Sequence, residues 1–153
     1  MRAIIGIDPG LNGGIAVLGA TGDVIDVAKM PDTVYDIYEY LSRFGRGSVC
    51  YMEKVGFGMP GQSSKATATF ARHCGHLEMA LVALEIPTIE VTPSKWMKSF
   101  QLGKSSDYSK TEWKNRLKDA AQRLFPRLGK KITLATSDAL LIAEYGRKQE
   151  IGG

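Results

Sequence analysis

The sequence predicts an α/β domain whose five-stranded mixed sheet combines three antiparallel strands with two parallel strands and is flanked by helices. Two features carry this prediction: the first three apolar runs are joined by tight turns, and the later apolar runs are separated by helical patterns. Tight turns join antiparallel strands, whereas a strand that follows a helical crossover pairs in parallel. The length of 153 residues and the apolar content of 44% fit one compact domain, expected to span residues 1–150.

Five short apolar segments, bounded by turn residues or helical patterns, are predicted to form the strands. They comprise residues 3–8, 14–18, 24–28, 49–53 and 88–91.

Five further segments have apolar residues at helical spacing and are predicted to form helices. Ser109-Lys-Thr-Glu112 matches the capping box at a helix start, and Gly146 is expected to end the last helix. Val34, Tyr38 and Leu124 are expected to face inward. The predicted helices comprise residues 33–44, 64–84, 93–100, 109–125 and 136–145.

The basic residues are concentrated in one part of the chain. Between Lys95 and Lys131 there are 11 Lys or Arg residues and three acids, a net charge of +8 within a chain whose total is +4. A basic segment beside an acidic remainder indicates contact with a polyanion such as nucleic acid. A solvated helix face would have a similar composition, so the charge alone leaves both interpretations open.

The sequence shows no membrane span and no signal peptide, which favours an intracellular, cytoplasmic protein without a membrane partner. Cys50 and Cys74 are too few for a disulfide scaffold and are expected to be free, buried thiols. A zinc site that uses His73, His76 and Cys50 is a weaker alternative.

Residues 56–61, Gly-Phe-Gly-Met-Pro-Gly, match the G-x-G-x-x-G pattern of dinucleotide sites. That fingerprint belongs to the first strand-to-helix turn and needs an acid on a following strand. Here the pattern follows the fourth strand, and Glu85 lies at the end of a long helix. A mobile loop beside an active site, with Phe57 and Met59 at its tip, fits better.

Three acidic residues occupy positions that the fold can bring together. Asp8 and Glu53 end the first and fourth strands, and Asp138 is expected in the first turn of the last helix. Taken singly, each has an ordinary structural explanation. Gathered at one sheet edge, they would repel one another unless a cation lay between them. Carboxylates suit Mg²⁺ or Mn²⁺, and two such ions about 4 Å apart can support phosphodiester hydrolysis.

Four stretches of the chain, taken in order, form a recognisable set of motifs. They are Ile5-Gly-Ile-Asp-Pro-Gly10 with Gly13-Gly14-Ile-Ala following, Tyr51-Met-Glu53, Val91-Thr-Pro-Ser-Lys-Trp96 and Ser137-Asp-Ala-Leu-Leu-Ile-Ala143. In these stretches the sequence resembles the RuvC family of Holliday-junction resolvases in the ribonuclease H-like superfamily. The resemblance implies a ribonuclease H-like fold and a homodimeric, Mg²⁺-dependent endonuclease that makes paired nicks in four-way DNA junctions during recombination and repair. It also implies two metal ions per site, with Mn²⁺ as an alternative.

The resemblance also assigns roles to individual residues. Asp8, Glu53 and Asp138 match the metal-binding acids. Lys98 and Lys110 fall near basic residues that approach the scissile phosphate. The remaining matches are Phe57, as the aromatic that wedges into the junction, and the helix 64–84, as the dimer contact. Lys95, Lys114 and Arg116 belong to the basic segment and are predicted from its charge to contact DNA.

One position departs from the family pattern. Ala135 stands where a fourth metal ligand commonly precedes the last acid by three residues. Ala135 therefore leaves open a junction-binding module without catalysis. A related RNA-processing nuclease is a second alternative, because that group shares the opening motif and the acids.

Overall fold

The computed structural model describes residues 2–152 and confirms the predicted mixed sheet. The sheet order is β3-β2-β1-β4-β5, so β1 lies at the centre. β1 and β2 pair antiparallel, as do β2 and β3, whereas β1 with β4 and β4 with β5 pair in parallel. The strands are β1 (Ile4–Asp8), β2 (Gly14–Leu18), β3 (Val24–Lys29), β4 (Val49–Glu53) and β5 (Thr88–Val91).

Three helices begin directly after a residue whose side chain caps the first turn. The side chains of Thr33, Ser63 and Ser109 each accept a hydrogen bond from the backbone N–H three residues later. Ser109 and Glu112 form the reciprocal capping box. The helices are α1 (Val34–Ser42), α2 (Ser64–Ala83), α3 (Pro93–Lys98), α4 (Lys110–Leu124) and α5 (Leu134–Gly152).

The sheet separates two hydrophobic clusters. Successive side chains of a strand point to opposite faces, so Ile4 of β1 joins one cluster and Ile5 joins the other. The first cluster contains Trp96, Trp113 and Leu140 from α3, α4 and α5. The second cluster is formed with residues of α1 and α2. The molecule therefore has three layers, and α5 lies on the same face as Ile4.

The last helix is longer than predicted. It begins at Leu134 and continues to Gly152, so Gly146 does not end it. Gly146 instead makes room for the ring of Tyr51, because a Cβ atom there would lie 2.7 Å from Tyr51 Cγ. The additional turns are held by tertiary contacts: the Tyr51 hydroxyl donates to Glu150 Oε2 at 2.6 Å, and Arg147 donates to the carbonyl oxygen of Ala20 at 3.5 Å.

Three side chains predicted to face inward are exposed instead: Val34 (49%), Tyr38 (43%) and Leu124 (43%). α1 buries Ile37, Tyr40 and Leu41, which turns Val34 and Tyr38 toward solvent. Cys50 and Cys74 are free and buried, as expected. Across residues 2–152, no helix combines the length and hydrophobicity needed to cross a bilayer.

Candidate active site

Asp8 and Glu53 lie at the ends of neighbouring parallel strands. Gly6 of β1 pairs with Tyr51 of β4, and Ile7 pairs with Met52. The same register places Asp8 beside Glu53 at the carboxyl edge of the sheet. Because the side chains of a strand alternate, both acids face the layer that contains α5. The strand order thus confirms the adjacency on which the predicted site depends.

Two glycines allow α5 to rest directly on the sheet. A Cβ atom on Gly6 would overlap the carbonyl oxygen of Ala139 and the backbone nitrogen of Ala143. A Cβ atom on Gly14 would overlap the carbonyl oxygen of Ala135. Side chains at these positions would hold the helix away from β1 and β2. Their absence brings Asp138, which precedes Ala139, toward Asp8.

The sequence predicted Asp138 in the first turn of the last helix, and this prediction was wrong. Because α5 begins at Leu134, Asp138 lies one turn further in. The favourable interaction of an acid with a helix N-terminus weakens beyond the first turn. The position of Asp138 is therefore explained by the packing of α5 on β1.

Burial raises the pKa of each of the three carboxylates, and neighbouring negative charges add to this effect for Asp8 and Asp138. Burial, followed by the charges of Asp138 and Glu53, raises the pKa of Asp8 to about 8. Burial, followed by the charge of Glu53, raises the pKa of Asp138 to about 7. Burial also raises the pKa of Glu53. Ionisation of these acids is therefore unfavourable in the folded protein, and a bound cation would offset the unfavourable free energy.

Trp96 positions Glu53. The Trp96 side chain is fully buried, and its indole Nε1 donates a hydrogen bond to Glu53 Oε2 at 2.8 Å. This bond opposes the effect of burial on the pKa of Glu53, because it favours the ionised carboxylate. Trp96 was not among the predicted site residues, although it ends one of the four matching stretches. A buried tryptophan usually donates its indole N–H to an acceptor, and this tendency could have indicated a partner such as Glu53.

A cavity of about 320 Å³ opens beside Asp8 and Asp138. Lys114 contributes a positive charge that lowers the pKa of both acids relative to burial alone. Asn12, from the turn after β1, was not predicted as a site residue. The lining residues are Asp8, Asn12, Lys114, Leu134, Ala135, Ser137 and Asp138.

The donor set fits a hard divalent cation in its chemistry, since carboxylate oxygens are the ligands that Mg²⁺ and Mn²⁺ prefer. The distances between the three carboxylates fit a shared metal ion less well. Within residues 2–152, no group of three or more His, Cys, Asp or Glu side chains is close enough to hold one metal ion. Asp8 and Asp138 share the cavity, whereas Glu53 is not among its lining residues. Joint ligation by all three acids would require Glu53 or its neighbours to move inward.

The basic residues predicted to contact DNA lie on α3 and α4. Lys95 and Lys98 are exposed on α3, and Lys110 and Lys114 are exposed on α4. Of these four, Lys114 is the one that lines the acidic cavity. The contact of each with a phosphate remains a prediction.

Arg116 has a structural role. Its guanidinium group donates to the carbonyl oxygen of Leu102 at 2.7 Å and lies 4.5 Å from the centre of the Tyr108 ring. These contacts connect α4 to the loop that precedes it. A role of Arg116 in DNA binding remains a prediction.

The glycine-rich segment between β4 and α2 is a surface loop. Phe57 is 52% exposed and Met59 is 60% exposed at its tip. Gly58 and Gly61 adopt positive φ angles of 70° and 83°, which glycine accommodates without strain. The ring of Phe57 lies 5.9 Å from the ring of Phe70 in α2. The loop therefore presents an aromatic side chain next to the strand that ends in Glu53.

Comparison with solved structures shows that the chain has the fold of RuvC. A structure of T. thermophilus RuvC in complex with a Holliday junction substrate has a TM-score of 0.71 and 14% sequence identity, covering 98% of this chain and 96% of that chain. A second Thermus thermophilus RuvC structure has a TM-score of 0.66 and 17% identity, with the same coverage. No family model and no curated protein matches the chain. At these identities, the likeness establishes the ribonuclease H-like fold.

Proposed function

We propose that the protein is a divalent-metal-dependent endonuclease that resolves four-way DNA junctions. The observation that supports this proposal is the placement of Asp8, which ends the strand beside that of Glu53 and lines one cavity with Asp138. The fold supports it, since a protein of the same fold has been solved with a Holliday junction substrate.

Asp8, Glu53 and Asp138 would hold the cation, and Trp96 would keep Glu53 oriented and ionised. A bound Mg²⁺ or Mn²⁺ would supply Lewis acidity at the scissile phosphate and lower the pKa of water. Asp8 carries a proton over much of the neutral range, because its pKa is about 8 without metal. Cation binding must therefore displace a proton from Asp8, which makes the affinity rise with pH.

The DNA backbone would lie along α3 and α4. Lys98 and Lys110 would approach the scissile phosphate, with Lys95 and Lys114 beside them. Phe57 would insert at the junction, where an aromatic side chain can offset the few kcal/mol that unstacking a base step costs. The exposed position of Phe57 supports this role.

Paired nicks require two active sites, and we propose that a second copy of the chain packs against the outer surface of α1 and α2. Large apolar side chains are exposed there, including Tyr35 (71%), Met79 (62%) and Val82 (69%). A sedimentation experiment on the wild-type chain and on Met79→Lys tests this. Dimers that the substitution converts to monomers support the interface, and a wild-type monomer at all concentrations contradicts it.

The test of activity is cleavage of a labelled four-way junction with Mg²⁺, Mn²⁺ or EDTA. We expect wild-type cleavage with either metal, and none with EDTA. Asp8→Asn should bind the junction without cutting it, whereas Glu90→Gln, an exposed substitution on β5, should cut normally. Linear duplex and structured RNA of matched length measure selectivity. Metal-dependent cleavage by Asp8→Asn would contradict the proposed role of that residue, and preference for RNA would favour the RNA-processing alternative.

The basic helices are tested by the salt dependence of junction binding, because each phosphate contact releases counterions. Lys98→Ala and Lys110→Ala should each reduce the slope of log affinity against log salt by about one. Arg43→Ala, on the opposite face of the sheet, should leave the slope unchanged. A wild-type affinity that does not respond to salt would exclude these helices as the DNA surface.

Ala135 favours one second candidate, a module that binds junctions without cutting them. This residue lines the cavity with a methyl group where the resemblance places a metal ligand. The same assay separates the two functions: tight junction binding with no cleavage in either metal would identify the non-catalytic module.

A further inference from the structure

Two residues that line the acidic cavity, Ala135 and Lys114, cannot serve as ligands of a metal ion. Ala135 offers a methyl group where a fourth ligand would stand, and Lys114 of α4 lines the same cavity as Asp8 and Asp138. An ammonium group and an alanine thus occupy a region in which a second metal ion would need a carboxylate.

We propose that Lys114 is a positioning residue that supplies a fixed positive charge in this cavity, so that each chain binds one divalent cation rather than two. The inference rests on the proposed function, since it concerns the same cation site. The family resemblance implies two metal ions per site, and the present proposal replaces that expectation with one ion.

The charges of the site support a single ion. Three ionised carboxylates and one ammonium group carry a net charge of −2, which one divalent cation neutralises. A second divalent cation would face the ammonium group, and would find no oxygen ligand from the side chain of Ala135. The charge of Lys114, which lines the same cavity, therefore repels a further cation.

Calorimetric titration of the DNA-free protein with Mg²⁺ at pH 9 tests the inference. This pH ionises most of the carboxylates, so that direct repulsion by Lys114 dominates over proton competition. We expect one ion per chain for the wild-type protein. Lys114→Met should bind Mg²⁺ about tenfold more tightly, equivalent to about 1.4 kcal/mol. Lys114→Arg keeps the charge and should retain the wild-type affinity.

Lys118→Met is the matched control, because it removes the same charge one turn further along α4 and outside the cavity. Its affinity should equal that of the wild-type chain. Adding Ala135→Asp to Lys114→Met should create a second Mg²⁺ site. Circular dichroism verifies that each variant is folded.

The outcomes separate the inference from the proposed function. Two ions bound by the wild-type chain, or an affinity that Lys114→Met leaves unchanged, would overturn the inference and leave the nuclease proposal standing. A wild-type chain that binds no Mg²⁺ would overturn both.

Discussion

Replacing Asp8 by Asn should stabilise the metal-free protein while it removes a central group of the candidate site. Asp8 is partly buried beside Asp138 and Glu53, and its pKa is about 8 instead of the ordinary 3.8. The ionised carboxylate is therefore much less favourable in the folded chain than in the unfolded chain. Asparagine has nearly the same shape and carries no charge, so it removes this cost.

The sign and size of the effect follow from proton binding. Between about pH 4 and pH 8, the folded protein holds a proton on Asp8 that the unfolded chain has lost, so the free energy of unfolding falls as pH rises. Each unit of pKa difference corresponds to about 1.4 kcal/mol. Solvent access and the shared charges of the site reduce the full value. We expect Asp8→Asn to gain about 2–4 kcal/mol at pH 8, or roughly 5–10 °C in Tm.

The assay is thermal unfolding in EDTA at pH 5, 6, 7 and 8. The advantage of Asp8→Asn should be smallest at pH 5 and grow toward pH 8. Glu90→Gln, which changes an exposed acid on β5, should match the wild-type protein at every pH. Added Mg²⁺ should raise the Tm of the wild-type protein more than that of Asp8→Asn. Destabilisation of Asp8→Asn at pH 8, or a gain that does not change with pH, would refute the assignment of Asp8 to a crowded acidic site.

Three other substitutions test how the site is built. Gly6→Ala should lower the free energy of unfolding by about 1–3 kcal/mol or more, measured by urea denaturation, because its Cβ would overlap the backbone of α5; wild-type stability would contradict the close packing. Trp96→Phe should weaken Mg²⁺ binding in calorimetry while the fold persists, since Glu53 loses its hydrogen bond; unchanged affinity would show that Glu53 needs no such support. Phe57→Ala should reduce cleavage of junctions with little change in Tm, because Phe57 is exposed; equal cleavage would exclude the wedge.

Local signals were sufficient to predict most of the elements. The first three strands follow from tight turns, and the helix starts at Thr33, Ser63 and Ser109 follow from side chains that cap the first turn. These features depend on residues near one another in the chain. The parallel pairing of β1 with β4 could also be predicted, because a strand that follows a helical crossover usually pairs in parallel.

The errors concern contacts between distant segments. Gly146 has the sequence signature of a helix end, but the ring of Tyr51 occupies the space beside it and the helix continues. The roles of Gly6 and Gly14 could not be predicted from their neighbours in the sequence, because these roles depend on where α5 crosses the sheet. The hydrogen bond from Trp96 to Glu53 joins residues 43 positions apart, so the sequence could mark both residues without relating them.

The most direct test of the account is a crystal structure of the wild-type protein soaked in Mn²⁺, with the ion located by its anomalous scattering. The account predicts one peak within ligand distance of Asp8 and Asp138, with Glu53 drawn toward it, and no peak in crystals of Asp8→Asn. Mn²⁺ bound elsewhere, with these three carboxylates left without an ion, would contradict it.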